Sequence, residues 1–221
     1  MGARMALKHI SLGLALIVSA CAGGAEQEGI ASLVGQAVSS FGGEASRGTE
    51  ITLSDAELRA LGTNVLVAGF PDDGSEAGFA LSNVNRDTRI WRSNDDLTFS
   101  TRGGQLAGTA GFGADLASAA LPAIATGQDR VIRDHYYIAG DERMARRRFA
   151  CDLRTAGVET VEVAGQAFRT VRIDESCMAD DGVTAENTYW IDALSVIRRS
   201  RQFATPGIGY IEIGDVHTGL R

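Results

Sequence analysis

From Asn64 onward the chain is a succession of short apolar and β-branched runs separated by clusters of Gly, Asn and Asp. The runs recur at about the 8–12-residue spacing of an antiparallel all-β domain. No other feature limits the fold as tightly. The expected strands lie at 65–69, 78–83, 88–92, 97–102 and 105–109, then at 131–139, 144–152, 157–164, 167–175, 186–192, 195–203 and 208–216. Arg102-Gly103-Gly104-Gln105 reads as a tight hairpin connection. Residues 114–121 read as one or two helical turns stopped by Pro122. A meander of at least about 10–11 strands exceeds what a small flat sheet holds. The expected fold is therefore all-β, a strongly curved antiparallel sheet or open β-barrel, with short N-terminal helices.

Those helices precede the strands. Ile30, Leu33, Val34, Ala37, Val38 and Phe41 fall on one helical face, and Gly42-Gly43 ends it. Ser54-Asp55-Ala56-Glu57 is a capping-box pattern, with Leu58 and Leu61 behind it and Gly62 to stop the helix. No internal repeat or linker divides residues 29–221, which are expected to form one domain.

The first 20 residues have the parts of a secretory signal. Arg4, Lys8 and His9 form a basic start, 10–18 an apolar stretch, and Ser19-Ala20 a small-residue cleavage point. The apolar stretch is about half of the ~20 residues a spanning helix needs. Val18-Ser19-Ala20-Cys21 resembles the lipobox of bacterial lipoproteins, which implies cleavage before Cys21 and acylation of its thiol and amine. Residues 21–28 would then be a tether. Several acyl chains anchor far more firmly than one. Ala22 resembles the residue that directs enterobacterial lipoproteins to the outer membrane, where Asp would retain them at the inner one.

The formal charge is −7, and the signal carries away two of the basic residues. An acidic mature chain argues against general nucleic-acid binding, which rests on phosphate neutralisation. With Cys21 used by lipid, Cys151 and Cys177 form an even pair in an oxidising compartment. One hairpin unit separates their strands and would set them side by side. A disulfide is expected, with two buried free thiols as the alternative.

No catalytic constellation emerges. His135 and His217 lie in no metal-binding spacing, and no nucleophile–base motif is present. Gly108 to Gly113 lacks the ending of a phosphate loop, and Asp180-Asp181-Gly182 lacks a calcium-loop pattern. No cofactor and no metal is expected. Tyr189, Trp190, Arg199, Arg201 and Gln202 are candidate saccharide or partner contacts, because aromatic faces stack on sugar rings and guanidinium groups bind acids. Strand alternation nevertheless sends Tyr189 and Trp190 to opposite faces.

Three segments resemble the YjbF family, the group 4 capsule polysaccharide lipoproteins. They are the strand–hairpin–strand of 97–116, LTFSTRGGQLAGTAGFGADL; NTYWIDA at 187–193; and Arg199-Ser200-Arg201-Gln202 leading to Pro206-Gly207 and a closing strand. The lipobox and the cysteine arrangement fit as well. The resemblance implies a curved β fold, an address on the periplasmic face of the outer membrane, and a non-enzymatic role in making or exporting extracellular polysaccharide beside an outer-membrane β-barrel partner. A lipid- or lipoprotein-binding module of the LolA/LolB type is the rival expectation, since a curled sheet can enclose an acyl chain.

Overall fold

A computed structural model describes residues 51–72, 74–125, 127–138 and 143–216. The signal, Cys21, the tether, the expected helix at 30–41 and His217 lie outside the described residues. The capping box forms as expected. Helix α1, Asp55–Ala60, starts at Ser54, whose hydroxyl accepts from the Glu57 N–H while the Glu57 carboxylate accepts from the Ser54 N–H at 2.7 Å.

Twelve antiparallel strands follow. They are β1 (Val65–Phe70), β2 (Ser75–Asn85), β3 (Thr88–Arg92), β4 (Thr98–Arg102), β5 (Gln105–Ala110), β6 (Leu116–Ala120), β7 (Arg130–Ile138), β8 (Met144–Val163), β9 (Gln166–Ala179), β10 (Thr184–Asp192), β11 (Ile197–Thr205) and β12 (Gly209–Val216). Every turn joins strands that pair or adjoin, so the chain is an up-and-down meander. The sheet order is β5-β4-β3-β2-β1-β12-β11-β10-β9-β8-β7-β6. The first and last strands of the chain thus meet in its middle, Val65 opposite Val216.

The sheet curls until its two edges, β5 and β6, nearly close a barrel. A Cβ at Gly108 would stand 3.2 Å from the Leu116 carbonyl oxygen, so glycine is what lets β6 come this near. Side chains complete the seam. The Leu116 N–H donates to Thr109 Oγ1 at 2.9 Å, and Gln105 Nε2 donates to the Pro122 carbonyl at 2.7 Å.

Two strand expectations are corrected. Residues 114–121 hold β6 instead of helical turns. Its backbone groups pair with β7 from Leu116 to Ala120, and Leu116 and Ala119 sink into the core. Tertiary pairing overrides the helical preference of alanine. The two runs at 144–152 and 157–164 form the single strand β8, bulged between Thr155 and Gly157. Gly157 has φ +147°, a conformation open to glycine and strained for other residues.

Beyond this bulge the β8–β9 hairpin outruns β10 and folds across the outside of the sheet. There Val163 and Ala164 join Leu53, Leu58, Val65 and Val216 in an external apolar cluster. The barrel interior holds two more. Leu66, Phe79, Trp91, Phe99 and Ile211 fill one half, and Phe149, the Cys151–Cys177 disulfide, Ile173 and Tyr189 the other. The disulfide joins directly opposed residues of β8 and β9.

Candidate functional site

The middle of the barrel is polar. Arg133 on β7 and Glu175 on β9 are 2% and 0% exposed, and Arg133 Nε donates to Glu175 Oε1 at 2.6 Å. The same guanidinium donates to Gln105 Oε1 at 2.8 Å and to the Tyr189 hydroxyl at 2.9 Å. Glu175 Oε2 accepts from Tyr189 at 3.0 Å and from Asn187 Nδ2 at 2.7 Å. Each buried charge therefore has several matched partners, as a low-dielectric interior demands. Burial works against the Arg133 cation, but the Tyr189 oxygen and Glu175 outweigh it and hold its pKa above the ordinary value. Burial pushes the Tyr189 phenol up.

His135 lies nearby, buried on β7 and edge-on to Phe149. Burial and then the Arg133 charge lower its pKa from 6.5 to about 4. Between those two pH values the unfolded chain takes up a proton that the folded chain refuses. Stability present above the ordinary value is therefore lost as pH falls from about 6.5 to about 4, by about 3 kcal/mol. His135→Gln should flatten that slope in urea-unfolding midpoints taken across the window. An unchanged slope would assign the acid sensitivity to other groups.

The sequence-selected contact residues do not form one surface. Tyr189 is 0% exposed and belongs to the interior network. Gln202, 3% exposed, reaches across the barrel to the free edge of β5. There its Oε1 accepts from the Leu106 N–H at 2.9 Å and its Nε2 donates to the Gly104 carbonyl at 3.3 Å. The amide stands in for a missing neighbouring strand. Neither residue is open to a saccharide, and both expectations are corrected on that ground. Gln202→Ala would leave a buried N–H unpaired and should lower unfolding free energy by about 1–3 kcal/mol. Calorimetry would test this, and a loss near zero would deny Gln202 its edge-capping role.

Trp190, Arg199 and Arg201 are on the outer face. Arg199 sits over Trp190, 5.7 Å from the ring centroid, and bonds Glu212 at 2.7 Å. Arg201 stacks on Tyr210 at 3.7 Å. Tyr210 and Thr188 share this face and escaped the sequence reading. Alternation along 209–216 marks Tyr210 and Glu212 as outward, but only the register with β11 sets Tyr210 beside Arg201. The other glycine-rich and acidic motifs are structural. Asp115 accepts from the Gly111 and Phe112 N–H groups and shapes the loop, and Asp181 pairs with Arg147 at 2.9 Å.

Residues 31–215 match the family described as group 4 capsule polysaccharide lipoprotein gfcB, YjbF. The chain belongs to the YjbF family. Among solved structures, the hypothetical lipoprotein YmcC from Escherichia coli (K12) is similar at a TM-score of 0.64 and 22% identity, with 74% of this chain and 88% of that one covered. That likeness shows a shared fold. A search of curated proteins finds no match. In this YjbF-family chain the family segment at 187–193 thus contributes to both faces, Asn187 and Tyr189 inward and Trp190 outward.

Proposed function

We propose that the chain is a non-enzymatic lipoprotein, acylated at Cys21 and held on the periplasmic face of the outer membrane, that assists assembly or export of capsule or exopolysaccharide. The family match over residues 31–215 carries this reading. The Val18–Cys21 lipobox supports the anchor. The most deeply buried charged side chains, Arg133 and Glu175, are engaged with each other, which favours a structural use for them over catalysis. Trp190, Arg199 and Arg201 remain as outward contacts for a saccharide or for an outer-membrane β-barrel partner.

Deletion of the gene should lower cell-surface polysaccharide, and the wild-type chain should restore it. The Cys21→Ala variant should fail to take up labelled palmitate and fail to complement. Normal polysaccharide in the deletion strain would refute the proposal. Acyl-chain carriage of the LolA/LolB type is disfavoured. A hydrogen-bonded ion pair occupies the place an apolar tunnel would need, and a cavity beside Leu66, Trp91 and Ile213, lined also by Arg89 and Asp215, is only about 20 Å³.

A further inference from the structure

β10 and β11 pair only as far as Thr188 and Arg201, and beyond that point the two strands part. Two side chains bridge the notch. Asn187 Oδ1 accepts from the Phe203 N–H at 2.7 Å, and the Tyr210 hydroxyl accepts from the Glu186 N–H at 2.9 Å. Tyr210 also packs edge-on against Phe203, with ring centroids 5.6 Å apart. Its ring is therefore fixed in place, and Arg201 stacks on it.

Among the described residues Arg201 enters no ion pair. Its cross-strand neighbour Glu212 is bonded to Arg199 instead. A guanidinium carries five N–H donors in a planar fork that matches a carboxylate. Here the stack orients that fork and leaves it without an anion.

An open groove of about 380 Å³ adjoins it, lined by Asp152, Arg154, Asp174, Ser176, Glu186 and Thr188. Thr188 is Arg201's partner across the ladder, so Arg201 stands on the next strand, beside the groove's Thr188 edge. Asp152 pairs with Arg130 and Asp174 with Arg154 and Arg172, so much of the acid in the groove is already balanced. What remains is the Glu186 carboxylate, which accepts from the Ser176 hydroxyl, and the Thr188 side chain, oxygens suited to sugar hydroxyls beside a stacked cation.

The geometry points to a saccharide subsite in this notch, where Arg201 holds the carboxylate of an acidic sugar ring and the groove takes the hydroxyls of adjoining rings. This rests on the polysaccharide reading above and adds the charge class of the ligand and the residue that reads it.

The test is calorimetric titration of the full-length lipoprotein in detergent with tetragalacturonate and with uncharged maltotetraose. The acidic tetramer should bind roughly tenfold or more tightly. Arg201→Gln should erase that preference, and Arg201→Lys should keep only part of it. Arg92→Gln, which removes an exposed arginine on β3 paired with Asp96 and outside the groove's lining, should leave it intact. Equal affinities, no binding of either sugar, or an unchanged preference in a folded Arg201→Gln variant would overturn the subsite. These results are separable from the parent reading. Reduced polysaccharide in the deletion strain together with a failed titration sinks only the subsite. Normal polysaccharide sinks the pathway assignment, while binding is still read directly.

Discussion

Glu175→Ala should lower the unfolding free energy by about 3–5 kcal/mol, because it strands the buried Arg133 cation. It also removes the acceptor shared by Asn187 and Tyr189. Urea denaturation followed by tryptophan fluorescence would measure the loss. The double variant Arg133→Met/Glu175→Leu separates two explanations. If the damage comes from an uncompensated charge, removing both ions should recover much of it, since apolar replacements of buried pairs are often neutral. If Glu175 acts mainly by organising the amide and phenol groups around it, the double variant will be no better than the single one. A single variant within about 1 kcal/mol of the parent would mean that the charge finds water or another partner.

Removing the disulfide should have an effect of similar size. Cys151 and Cys177 are 26 residues apart, and closing such a loop stabilises by about 3.5 kcal/mol in the chain-entropy model. For a domain of this length that corresponds to roughly 7–14 °C in Tm. Cys151→Ala/Cys177→Ala, compared with the oxidised parent by scanning calorimetry, should show a drop in that range. An unchanged Tm would mean that the β8–β9 ladder alone restrains the unfolded chain. The bond packs close to Glu175, so the two sets of variants should not be strictly additive.

Alternation and turn residues made most strands legible, along with the capping box of α1. β6 was not, because Leu-Ala-Ser-Ala-Ala carries the local preferences of a helix, and only β7 supplies the pairing that settles it. The bulge at Gly157 split one strand into two for the same reason: a local irregularity looks like an end. Opposite orientations for Tyr189 and Trp190 followed from period two. The task of Gln202 did not, since its partner Gly104 is 98 residues away. Arg133 gave a usable signal, standing in phase with Val131 on an alternating strand. A charge there implies a buried partner, but nothing local identifies Glu175 on β9.

The pairing of β1 with β12 bears on how the chain acquires its structure. β1 to β5 and β6 to β12 can each grow from neighbours in sequence, which is quick because the loops to be closed are short. The backbone ladder that joins the two halves is β1 with β12, from Val65 opposite Val216 to Gly69 opposite Glu212, a contact between the first and last of the described strands. The wall is therefore continuous only once β12 has formed. Until then β1 presents an unpaired edge, the kind of template on which chains aggregate, so the interval before closure is the one in which association with other chains competes with folding.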